Sequence, residues 1–172
     1  NGVIGMTELL EATTLNSEQH QYVRTIRNSG NALLRIINDI LDYSKIEAGK
    51  LDIEKIDLDV DELVDECVSL FGQKTRQKNV ALWIDRYSDV PGCIDGDPTR
   101  IRQILINLLS NAFKFTEKGQ VILRYRLVRD DHAADPNAAQ LRFEVIDSGI
   151  GISEAQRANL FQSFSQADSS TT

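Results

Sequence analysis

Apolar positions in the first fifty residues recur at helical spacing. Val3, Met6 and Leu10 step by three and four, with Ile4 and Leu9 beside them, which predicts a first helix. Leu15-Asn-Ser-Glu reads as the start of a second, with Asn16 or Ser17 as cap and Glu18 to Gln21 in the first turn. From there Val23, Ile26, Gly30, Leu33, Ile37 and Ile40 repeat at spacings of three and four, flanked by Tyr22, Leu34 and Leu41. That apolar stripe is too broad for a lone surface helix. Two helices on a short loop make a hairpin, and pairing with a second copy into a four-helix bundle buries the stripe economically. The plainer reading is a hairpin packed on its own domain. Ala48-Gly49-Lys50 ends the long helix, with Gly49 suited to a left-handed cap.

The pattern changes near residue 50. Leu51-Asp-Ile-Glu-Lys-Ile-Asp-Leu alternates like a strand, and Val60, Leu63, Val64, Cys67, Val68 and Phe71 fit one helix face. Val80, Leu82 and Ile84 alternate as a strand, with Trp83 and Asp85 on its other side. After Asp97-Pro98 comes a helix whose apolar face is Ile101, Ile104, Leu105, Leu108, Leu109 and Ala112. Gln120 to Arg129 and Gln140 to Ile146 read as strands joined by the polar stretch Asp130-Asp-His-Ala-Ala-Asp-Pro-Asn. The expected architecture is α+β: a helical hairpin over 1–50, then a mixed α/β domain over 51–172.

Composition narrows the function classes. The 172 residues carry 19 Lys+Arg against 26 Asp+Glu, a net charge of −7, which disfavours nucleic acid as the main partner. A 41% hydrophobic content supports a core, and no apolar run approaches the roughly 20 residues of a membrane span. No secretory signal is visible, so no direct membrane contact is expected of these residues. Cys67 and Cys93 fit neither a disulfide framework nor a zinc spacing, and read as plain thiols in a reducing cytoplasm.

Chemistry is suggested at two places. The helix after Pro98 has a polar stripe of Arg100, Gln103, Asn107, Asn111 and Lys114. A solvated face explains such a stripe, but Asn is a poor helix former, and a pair of them four apart suggests that their amides are wanted. An amide oxygen is a hard ligand suited to Mg²⁺, and Lys114 can meet a phosphate. Further on, the strand over 141–146 runs into Asp147-Ser-Gly-Ile-Gly-Ile. A carboxylate at a strand end can accept from an exocyclic amine, while Gly149 and Gly151 let a planar base approach the backbone. Alone, this motif is also an ordinary glycine turn. Together, the Asn helix and the Asp-Gly strand end suit two walls of one nucleotide pocket.

With these residues in view, the chain resembles a sensor histidine kinase of two-component signalling, of the hybrid kind. Asn107-Leu-Leu-Ser-Asn-Ala-Phe-Lys-Phe-Thr-Glu-Lys-Gly119 resembles the family's N box, and Asp147-Ser-Gly-Ile-Gly151 its first glycine box. Leu160-Phe-Gln-Ser-Phe-Ser-Gln166 resembles the phenylalanine box before the ATP lid. Asn1-Gly-Val-Ile-Gly-Met and Ile37-Asn-Asp-Ile-Leu-Asp-Tyr-Ser-Lys-Ile-Glu-Ala-Gly49 resemble the dimerisation hairpin. The resemblance implies ATP and Mg²⁺ as cofactors, with Asn111 on the metal, Asn107 on phosphate or metal, and Lys114 neutralising phosphate charge. It implies Phe115 packing on the nucleotide, Asp147 accepting from the adenine amine, Gly149 and Gly151 lining the base, and Phe161 and Phe164 anchoring the lid. It also implies a homodimer through the hairpin, a receiver domain or phosphotransfer protein as partner, and a cytoplasmic location within a parent anchored in the bacterial inner membrane.

There are two departures from the family pattern. Neither His20 nor His132 matches the acceptor box, so no catalytic histidine is expected in these residues and no autophosphorylation of the chain alone. The second glycine box and last strands are also not seen, so the ATP-binding domain is expected to be C-terminally incomplete. An ATPase of the gyrase, chaperone and mismatch-repair group needs a Glu where Asn107 stands, and an amide cannot serve as that base. The remaining alternative is a non-catalytic dimerising module that regulates a partner kinase.

Overall fold

The computed structural model describes residues 2–128 and 140–154, and the chain divides into two compact units, residues 1–53 and 54–172. The first unit is the helical hairpin. Helix α1 spans Gly2–Glu11 and α2 spans Ser17–Glu47. Asn16 caps α2 through a capping box: its Oδ1 accepts the Gln19 amide at 2.8 Å, and its own amide donates to Gln19 Oε1 at 2.9 Å. Arg27 of α2 pairs with Glu11 of α1, tying the helices at the loop end. Gly30 lets them approach: a Cβ there would stand 3.2 Å from Ile4 Cγ1. Beyond Ala48 the chain turns at Gly49 (φ 64°), as its missing Cβ allows. Thr7 and Val23 are the buried residues of these helices, whereas Ile26, Leu33, Ile37 and Ile40 of the expected seam are exposed.

The second unit is mixed. Strand β1 (Ile56–Asp59) pairs antiparallel with β3 (Cys93–Gly96). A second sheet has the order β2 (Val80–Arg86), β4 (Gly119–Val128), β5 (Gln140–Asp147), with β2–β4 parallel and β4–β5 antiparallel. Helices α3 (Val60–Ser69), α4 (Gly72–Lys78) and α5 (Pro98–Phe115) complete it. The buried alternation of Val121, Leu123 and Tyr125 on β4 gives the sheet one apolar face. Leu63, Val64 and Cys67 of α3 and Leu105, Leu109 and Phe113 of α5 join it in one core. Phe71 and Phe113 stack there with ring centroids 5.2 Å apart. The Tyr125 hydroxyl donates to Asp61 at 2.7 Å, and Arg86 donates to the same carboxylate at 2.8 Å. Burial, then that bond, pushes the Tyr125 phenol far up.

Several expectations need correcting. The strand over 51–58 begins only at Ile56, because its partner β3 is four residues long and its register ends at the Ile56–Gly96 pair. Helix α4 and strand β3 were not expected. Phe71 is buried but lies past the end of α3, just before α4. On α5 the burial is rotated: Ile104 and Leu108 are exposed, while Phe113 is among the largest fully buried side chains. Among the described residues no helix is long and apolar enough to cross a membrane.

Candidate nucleotide-binding site

Helix α5 is fixed at its start. Asp97 caps it by accepting the Arg100 amide at 3.0 Å, and its other oxygen accepts the Glu54 amide at 3.2 Å. Pro98 follows at the first turn, where its missing N–H costs nothing. The Arg100 amide chiefly, with help from those of Glu54 and Thr99, holds the Asp97 carboxyl below the usual carboxylate range against the opposing effect of burial. The helix then runs 18 residues to Phe115. Packing of Leu105, Leu109, Ala112 and Phe113 on the core turns the opposite stripe outward, so Asn107, Asn111 and Lys114 are exposed. Asn107 and Asn111 are one turn apart, which places both amides on one face. Lys114 Nζ sits 5.0 Å from the Phe115 ring centroid, a cation–π contact, and Phe115 is half-buried.

Strand β5 ends at Asp147, which is exposed. Its Oδ1 accepts the Gly149 amide at 2.8 Å and bends the chain into a turn. Gly149 lies against the end of α5: a Cβ there would stand 2.5 Å from the Phe115 carbonyl oxygen. The Ile150 amide donates to that same carbonyl at 3.4 Å. Gly151 has φ 72°, a conformation that favours glycine. The Asn helix and the Asp-Gly strand end are therefore joined at Phe115. The expected residues Asn107, Asn111, Lys114, Phe115, Asp147, Gly149 and Gly151 all lie on these two adjoining elements. Phe161, Phe164 and His132 lie outside the described residues. His20 is exposed in the first turn of α2. An open groove of about 540 Å³, lined by Arg76, Asn79 and Trp83 among others, contains none of the expected residues.

The sequence pattern did not single out Ser148 and Gly119. The Ser148 amide donates to the Gln120 carbonyl at 3.1 Å, and the Gln120 amide donates to Ser148 Oγ at 2.9 Å. A small hydroxyl residue inside a glycine turn is the signal that could have found Ser148.

Residues 96–172 match the model of the histidine kinase-, DNA gyrase B- and HSP90-like ATPase domain, and residues 1–49 match the His kinase A (phospho-acceptor) domain. The chain belongs to the sensor histidine kinases. Its similarity to hybrid signal transduction histidine kinase B of Dictyostelium discoideum is 45% identity over 169 residues, covering 98% of this chain and 8% of that protein. Similarity to the signal transduction histidine-protein kinase BarA of Escherichia coli K12 is 42% over 170 residues, covering 99% of this chain and 18% of BarA. Among solved structures, full-length ShkA in complex with AMPPNP superposes with a TM-score of 0.77 at 35% identity, over 97% of this chain and 34% of ShkA. The chain thus spans 8% and 18% of the length of these two curated relatives.

Proposed function

We propose that this chain carries the dimerising and ATP-binding parts of an ATP-dependent protein histidine kinase, which transfers the γ-phosphoryl group to a bundle histidine and on to a receiver aspartate. The observation that supports this most is the junction at Phe115, where the end of the helix that carries Asn107 and Asn111 meets the Asp147–Gly149 turn. The donor set fits the nucleotide and its metal: neutral amides for Mg²⁺, a lysine for phosphate, and a carboxylate beside two glycines for a planar base. Asn111 would hold Mg²⁺, with Asn107 on metal or phosphate and Lys114 on phosphate. Phe115, Gly149 and Gly151 would line the base, Asp147 would accept from the adenine amine, and Phe161 and Phe164 would anchor a lid. With little covalent chemistry required of the protein, the rate comes from positioning and charge neutralisation. The same reading places these residues in the cytoplasm, in a homodimer that serves a receiver domain or phosphotransfer protein.

Calorimetric titration of the chain with Mg-ADP and Mg-ATP tests the proposal. Binding of both is expected, with the Mg²⁺ dependence lost in Asn111→Ala. No binding of either nucleotide overturns it, and unchanged Mg²⁺-dependent affinity in Asn111→Ala removes the metal role.

A further inference from the structure

The three-stranded sheet continues past its last ladder pair, Val121–Asp147, through the reciprocal contacts of Ser148 and Gln120. The Ser148 hydroxyl takes the Gln120 amide at 2.9 Å and can return its own proton to the Gln120 carbonyl at 3.2 Å. Gly119 makes room for it. A Cβ at Gly119 would stand 2.2 Å from Ser148 Oγ, and its φ of 113° disfavours any side chain. Asp147 is consequently fixed on both sides, by the ladder pair before it and by the Ser148 clasp after it. Its Oδ1 is engaged by the Gly149 amide at 2.8 Å, and among the described residues no hydrogen bond to Oδ2 is seen, so that oxygen is the one to meet a ligand.

We infer that the Ser148–Gly119 clasp is a specificity device, which sets the Asp147 carboxylate to accept from a 6-amino purine and reject a 6-oxo purine. This rests on the nucleotide-binding reading above. Adenine presents an N–H donor at that position and guanine a carbonyl oxygen, which a fixed carboxylate repels. A carboxylate free to turn away discriminates less, because the penalty for the wrong base depends on its having nowhere to go. Ser148 and Gly119 act through Asp147 and are positioning residues.

The test titrates the chain and its Ser148→Ala and Ser148→Thr variants with Mg-ADP and Mg-GDP, and follows amide hydrogen exchange at Gly149 in each. The unaltered chain is expected to prefer ADP. Ser148→Ala is expected to reduce that preference severalfold, up to about tenfold, the worth of one neutral hydrogen bond, and to speed exchange at Gly149. Ser148→Thr, which keeps the hydroxyl, is expected to retain both. An unaltered ADP preference in Ser148→Ala overturns the inference while leaving nucleotide binding intact. Faster Gly149 exchange with unchanged preference shows a merely structural clasp and overturns it too. If the unaltered chain binds neither nucleotide, the nucleotide reading fails and this inference fails with it.

Discussion

Gly149 has the Phe115 carbonyl on one side and the Asp147 carboxylate on the other, 2.5 and 2.7 Å from where a Cβ would stand. Neither can yield easily: the first is backbone at a helix end, and the second already accepts the Gly149 amide. Gly149→Ala therefore has to push the strand end away from α5. The expected cost is about 1–3 kcal/mol of stability, as for other overpacked sites, together with weakened nucleotide binding. Thermal unfolding and an ADP titration check both; an alanine variant as stable and as tight as the parent would refute the junction. Asp97 carries a pH dependence. Its carboxyl lies below the ordinary Asp value of about 3.9, so its contribution to stability is fully present above that value and is lost as pH falls through the folded value. Asp97→Asn is expected to flatten the acid limb of the stability–pH curve below about pH 4, measured by denaturant titration across pH.

At Gly30 a single methyl sets two effects of helices against each other. The residue is interior to α2, where Gly costs about 1 kcal/mol relative to Ala. A Cβ there would meet Ile4 Cγ1 at 3.2 Å, tighter than ordinary contact. Ile4 is half-buried and Thr7 and Val23 are the buried residues of these two helices, so the Ile4 side chain has room to give by a few tenths of an ångström. Propensity should win. Gly30→Ala is expected to raise the thermal midpoint of the hairpin's helical signal, by circular dichroism, and a lower midpoint would show that the helix approach is tighter than this. The same elements show what the sequence reveals. Helices α2 and α5 announce themselves by caps, Asn16 and Asp97-Pro98, and by long apolar periods. Helix α4 does not, because Gly72–Lys78 contains no large apolar residue and none of its residues is buried. Strand β3 has only Cys93 and Ile94 as apolar residues in four. On α5 the period was legible but not its centre: Ile104 and Leu108 are as apolar as Leu105 and Leu109, and only the packed sheet shows which pair faces it. Asn107, Asn111, Asp147 and Gly149 stood out because their residue types are poorly suited to a plain helix or strand. Ser148 and Gly119 did not, because the Gln120–Ser148 bond that brings them together joins residues 28 apart and leaves no period.

Over the whole molecule, the apolar surface is unevenly divided. The second unit has a core that buries Leu63, Leu105, Leu109, Phe113 and Leu123, although Ile104, Leu108 and Trp83 stay exposed, whereas in α2 Ile26, Leu33, Ile36, Ile37, Ile40 and Leu41 are all exposed, Leu33 at 58%. A contiguous apolar face of that kind on a helix marks an interaction surface. Full burial of a Leu or Ile side chain is worth about 1.5–3 kcal/mol, and several such residues exceed what a net charge of −7 spread over the chain can oppose. A second copy of the hairpin presents the same face, and a four-helix bundle covers both. Light scattering is therefore expected to give twice the chain mass at micromolar concentration. Leu33→Asp with Ile37→Asp should place carboxylates in the buried seam and weaken association more than tenfold, because an unpaired buried charge costs several kcal/mol. Both substitutions lie in the first unit, so ADP binding by the second should be unchanged, which separates lost pairing from general unfolding. A strictly monomeric parent chain at high micromolar concentration would remove the bundle, and an ADP affinity that falls with the mass would show that nucleotide binding needs the dimer.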